Sequence, residues 1–153
     1  MIISVVGNAE SLFNHKFGNI IDSGDLIIRF NKGVIVKPAS QGRKTSILVF
    51  SIHSVCPPPT RRKFGKVVQW KTTTFKERQD LEEILKTKPS NGIVVLEKLK
   101  REYPKELVRI FGFDWKQTPT WYQPIVKFEH HDYEKEKEYC LNLIEEMKWE
   151  IYQ

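Results

Sequence analysis

The chain has 153 residues, 40% hydrophobic, 29% charged and 12% aromatic, which is the size of one domain over residues 1–153 and excludes a disordered chain. The formal charge of +6 is uneven: residues 1–74 hold 11 Lys/Arg against 3 Asp/Glu, and residues 75–153 hold 14 against 16. The N-terminal half therefore attracts phosphate-bearing partners, nucleotide sugars and nucleic acid alike. No apolar run approaches the roughly 18 residues of a membrane span, and the start at Ile2, Ile3, Val5 and Val6 lacks the parts of a secretion signal. Cys56 and Cys140 stand far apart with no CxxC pair, so reduced thiols and a cytoplasmic location are expected.

In chain order, apolar β-branched runs occur at Ile2 to Val6, Leu26 to Phe30, Ile47 to Phe50, Lys66 to Trp70 and Leu107 to Phe113. They are too short for helices and are bounded by Gly, Pro, Ser or Asn, which predicts five strands. The first runs into Gly7, Asn8 and Ala9, a turn that lets a phosphate or ribose approach the backbone and that equally fits a plain turn. The second is entered through Asp22 and Asp25, which suit a turn, and left through Asn31; Arg29 within it reads as a solvated or paired charge. Cys56 to Lys63 reads as a stiff polyproline turn followed by a basic surface.

Phe75 to Leu85 places Leu81, Ile84 and Leu85 on one helical face, and Thr74 with Glu77 has capping-box spacing. The aromatic run Trp115 to Tyr122, broken by Pro119, suits either an acceptor platform or packing under a loop. Asp132 to Trp149 repeats Tyr133, Cys140, Leu143, Ile144 and Met147 at amphipathic spacing, a helix that covers the sheet. Strands alternating with helices predict an α/β fold: a single Rossmann-like domain with a mostly parallel sheet flanked by helices. Ligands of such sheets bind beyond the carboxyl ends of the strands.

Val5 to Ala9, followed after a spacer by Ile21-Asp22-Ser23-Gly24-Asp25-Leu26-Ile27-Ile28-Arg29-Phe30-Asn31, closely resembles the large sialylmotif of glycosyltransferase family 29, the sialyltransferases. Gly42-Arg43-Lys44-Thr45-Ser46 is similar to the segment that ends that motif. Pro89-Ser90-Asn91-Gly92, running into Ile93 to Leu96, resembles the small sialylmotif, and Phe111-Gly112-Phe113 resembles the family's YGF strand end. His131 and Glu136 have the His-x4-Glu spacing of the very small motif. The chain departs from the family where Asn91 replaces a Thr, and where a histidine-tyrosine motif upstream of the final His is missing unless His130 doubles for it. Neither cysteine lies in the large or small motif, so the bridge of secretory members is absent. The chain resembles a minimal bacterial or viral relative, in the host cytoplasm if viral.

The resemblance implies metal-independent, inverting transfer of a sialic-acid-like sugar from a CMP-linked donor to a glycan or glycolipid hydroxyl, with no cofactor besides that donor. It implies His131 as general base with His130 next in line, and Glu136 in the catalytic set. Asn8, Asn31, Ser90, Asn91, Gly92 and Gly112 then bind substrate. The residues themselves support part of this: His131 precedes a good N-cap, Asp132, where the positive helix end favours neutral imidazole. Glu136 falls on the inward stripe and needs a partner, as an ion pair or as an orienting group. No DxD sequence occurs, and His53, Cys56, His130 and His131 lack finger-like spacing, so no metal site is expected. Two alternatives stand beside this reading. One is a phage-type nucleic-acid glycosyltransferase with Arg61, Arg62 and Lys63 tracking phosphates; the other is a catalytically silent nucleotide-binding or adaptor module.

Overall fold

The computed structural model describes residues 1–51, 67–123 and 130–153. Its strands are β1 (Ile2–Val6), β2 (Leu26–Phe30), β3 (Ile47–Phe50), β4 (Val68–Lys71), β5 (Leu107–Phe111) and β6 (Glu150–Tyr152), in one sheet of order β4-β3-β2-β1-β5-β6. Every neighbouring pair is parallel. The chain steps outward from β1 to β4, then returns to the far side of β1 with β5, so strand order reverses between β1 and β5. Parallel strands require crossovers that cover the faces of the sheet. Among the described residues these include α1 (Gly18–Asp22), α2 (Pro38–Gln41), α3 (Lys76–Leu85), α4 (Asn91–Glu102) and α5 (Tyr133–Met147). None of these helices is long and apolar enough to cross a membrane.

Alternate residues along the strands enter two cores. Ile3, Val5, Ile28, Phe30, Val49 and Ile110 meet Leu81 and Leu85 of α3, Ile93 to Leu96 and Leu99 of α4, and Cys140, Leu143 and Ile144 of α5. Val6, Ile27 and Phe111 point the other way, against Leu12 and Ile21. Burial on both faces explains why the strands read as near-continuous apolar runs.

Several local expectations need correction. Ile84 is 59% exposed, whereas Leu81 and Leu85 are buried; the inward row of α3 is Glu77, Leu81 and Leu85, four residues apart, and Ile84, one turn from Leu81, is rotated about 60° from Leu81 and about 100° from Leu85. Thr74 forms no capping box: its hydroxyl donates to Lys71 O at 2.8 Å, and Phe75 holds the N-cap position without a side-chain bond. Glu77 is instead buried and ion-paired with Arg101 at 2.9 Å. Strand β5 stops at Phe111 because Gly112 turns the chain with φ 65°. The helix predicted to run to Trp149 ends at Met147, with Lys148 at φ 55°, and β6 follows it. That strand, unforeseen, is held to β5 by the Arg109 to Glu150 ion pair at 2.9 Å and by Tyr152 stacked on Phe111.

Asp22 and Asp25 brace turns as expected: Asp22 accepts from the backbone N–H of Arg43 and Lys44, and Asp25 accepts from Ile2 N at 2.7 Å. Arg29 is not a solvated charge. It is 3% exposed, donating to Lys44 O, Thr45 Oγ1 and Gln41 O, and burial pulls its pKa down to about 10 against the field of Asp22.

Candidate active site

The carboxyl ends of β1, β2 and β5 open into a cavity of about 450 Å³ at the reversal of strand order. Two turns form its floor. Gly7 N donates to Phe111 O at 2.7 Å, and a Cβ on Gly7 would sit 2.3 Å from Gly112 O, so neither strand tip has room for a side chain facing the other. Gly112, expected as a binding residue, therefore lines the cavity through its backbone.

The amides at the strand tips are tied together. Asn8 Nδ2 donates to Phe30 O at 3.1 Å and to Tyr122 Oη at 3.2 Å. Asn31, at φ 56°, accepts from Asn91 Nδ2 at 3.4 Å, while Asn91 Oδ1 accepts from the buried Thr72 hydroxyl at 2.7 Å. Asn91, the departure from the motif's Thr, thus connects β2 to the start of α4. Tyr122 also bonds Asn31, and burial pushes its phenol upward in pKa. Tyr122 falls in the aromatic run read as platform or packing; Thr72 carried no signal, because its role depends on where Asn91 lands.

The N-termini of α4 and α5 point into the cavity from one side of the sheet, bringing two positive helix ends to one space. Ser90 does not offer its donors to this space as expected. Its N–H and hydroxyl are both taken by Glu136, at 2.7 and 2.6 Å, so this pair fastens the two helix starts together. The first N–H engaged within α4 is that of Val94, bonded to Ser90 O, so Asn91, Gly92 and Ile93 supply the opening N–H groups. A Cβ on Gly92 would lie 2.8 Å from the Phe113 ring, so glycine lets that ring seat against the helix start. Glu136 is 3% exposed; burial raises its pKa, and the two Ser90 bonds oppose that rise.

His131 Nδ1 lies 2.6 Å from Lys88 O. A carbonyl only accepts, so Nδ1 carries the proton and the lone pair resides on Nε2. Burial lowers the His131 pKa below 6.5; the Lys88 carbonyl opposes this, and the positive charges of His130, Arg78 and Lys116 add to the lowering. Asp132 caps α5 as expected, accepting from Lys135 N at 3.1 Å. The His130 ring stands 4.1 Å from that of His131, on the same cavity wall. Cys140, beneath the cavity, is a buried thiol whose pKa burial raises to about 12, too high for a nucleophile at neutral pH. Among the described residues no three His, Cys, Asp or Glu side chains are grouped to hold a metal ion. His53, Cys56, Arg61, Arg62 and Lys63 lie outside the described residues.

The fold and cleft define a Rossmann-like α/β protein whose ligand site lies at the switch point of a parallel sheet. Residues 4–79 match glycosyltransferase family 29 (sialyltransferase). Over 99% of this chain and 68% of the other, the fold superposes on the crystal structure of a mammalian sialyltransferase with a TM-score of 0.70 at 18% identity. A mammalian sialyltransferase in complex with Gal-beta-1-3GalNAc-ortho-nitrophenol superposes with a TM-score of 0.66, at the same identity and coverage. No curated protein matches the sequence. The family match covers 76 of the 153 residues, and the likeness to the solved sialyltransferases is one of fold.

Proposed function

We propose that the chain is a glycosyltransferase of the sialyltransferase kind, which moves a sialic-acid-like sugar, with inversion and without a metal ion, from a CMP-linked donor to a glycan or glycolipid hydroxyl. The observation that carries the reading is the 2.6 Å contact of His131 Nδ1 with Lys88 O, which leaves Nε2 as a neutral base on the wall of the cavity. An acceptor hydroxyl is a weak nucleophile until its proton is removed. Nε2 takes that proton as the oxygen attacks the anomeric carbon, and the bond to phosphate breaks on the opposite face. The charge that develops on the phosphate falls at the positive ends of α4 and α5. Asn8 and Asn31, held by Phe30 O, Tyr122 and Asn91, position the nucleotide without reorganising. Glu136 acts through Ser90 as a positioning residue for the α4 start. The glycan acceptor is supported by the disaccharide derivative bound to the similar mammalian enzyme.

A melting screen with CMP, CDP, UDP and GDP in EDTA tests the donor. At one hundred times its dissociation constant, CMP is expected to raise the melting temperature by roughly 5–10 °C. No CMP effect, or an effect that requires magnesium or manganese, overturns the metal-free CMP assignment. Turnover is then measured with glycan and with duplex DNA; transfer to DNA with steep salt dependence would instead support the nucleic-acid reading.

A further inference from the structure

We propose that Lys116 is the cation that receives the donor's phosphate and stabilises it as it departs, a catalytic residue outside every sialylmotif block. The inference rests on the CMP-donor reading. Among the described residues, Lys116 is the one Lys or Arg lining the main cavity, which it shares with Asn31, Gly92 and His131. Helix ends supply partial charges, whereas a departing phosphate gains a full one.

The loop after β5 is built to hold this side chain in place. Trp115 and Lys116 adopt φ of 51° and 62°, a left-handed pair that L-residues keep only where the surroundings over-determine it. Asp114 provides that constraint: Oδ1 accepts from Lys116 N at 3.1 Å, and Oδ2 accepts from Thr118 N at 3.0 Å, the Thr118 hydroxyl, and Ser11 Oγ at 3.1 Å. With its oxygens spent on the loop, Asp114 does not ion-pair with the ammonium. Lys116 Nζ donates to the buried Thr120 hydroxyl at 2.7 Å and, among the described residues, meets no carboxylate within ion-pair distance. One of three ammonium donors is thus committed; burial lowers the Lys116 pKa, the Asp114 carboxylate opposes that through space without pairing directly, and the half-buried ammonium faces the cavity. The lysine also lies near enough to His131 for its charge to help keep that imidazole neutral, so both groups serve one reacting centre.

In the reaction the anomeric carbon to phosphate-oxygen bond breaks and its electron pair passes to the phosphate, which leaves as part of CMP. The acceptor oxygen forms the new bond and its proton resides on His131. Lys116 keeps its own protons and lends two N–H groups and a positive charge to the departing oxygens.

Calorimetry with CMP and with cytidine, on the wild-type protein and on Lys116→Met, Lys116→Gln and Lys116→Arg, separates phosphate recognition from nucleoside recognition. The wild type is expected to prefer CMP over cytidine by roughly 10- to 100-fold, the worth of hydrogen bonds to a charged group. In Lys116→Met and Lys116→Gln the preference shrinks to a few-fold while cytidine affinity stays unchanged, which also shows that the fold is intact. Lys116→Arg recovers much of it. A full preference retained by Met or Gln overturns the Lys116 assignment and leaves the donor class standing. A wild type that binds neither cytidine nor CMP overturns the donor reading itself, and the role of Lys116 with it.

Discussion

At the scale of single residues, His131 is decided by one backbone contact. Because Lys88 O holds Nδ1 and burial disfavours the charged ring, the neutral form persists below the ordinary histidine pKa of 6.5. The acid limb of a kcat/KM profile is expected to fall at a pH below 6.5. His131→Ala removes that limb and lowers turnover by roughly 100- to 10,000-fold, with CMP affinity little changed. A folded His131→Ala protein with the wild-type rate would pass the role to His130. The same shift is a stability term: the folded state binds this proton less readily than the unfolded chain. Its contribution is fully present above pH 6.5 and is lost as pH falls through the lowered value. Acid melting curves of wild type and His131→Ala should converge accordingly.

At the scale of elements, α3 separates pattern from packing. Ile84 and Leu81 are both apolar at helical spacing, yet the neighbouring elements cover only the row through Leu81 and Leu85. Leu81→Ala is expected to cost about 2–5 kcal/mol, and Ile84→Lys less than about 0.5 kcal/mol, both read from denaturant midpoints. A large loss at Ile84 would reverse the face assigned to α3. Strand β6 was hidden for a different reason. Its three residues are too few to display a period, and they pair only because β5 offers an unpaired edge beyond α5. The cap of α5 needed no such partner: Asp132 lies three residues from the N–H it accepts, so local order alone exposed it.

At the scale of the whole molecule, the site exists because β1 and β5 lie side by side although a hundred residues separate them. Gly7→Ala tests this juncture, since its Cβ would meet backbone oxygen at 2.3 Å, which cannot yield as a side chain does. It is expected to lower the melting temperature and to weaken CMP binding together, measured by thermal melts with and without CMP; unchanged values for both would mean that the two turns are not in contact. Five strands, the α/β class, the inward stripe of α5 and the place of His131 just before a capped helix were legible in the sequence, because period, caps and motif spacing are properties of short stretches of chain. Packing, not local order, sets Ser90 against Glu136, joins Thr72 to Asn31 through Asn91, and brings Lys116 to the cavity wall. Those contacts join residues 19 to 60 positions apart, or set a side chain by the turn that carries it, and their partners are chosen by which strand tips and helix ends the crossovers bring together.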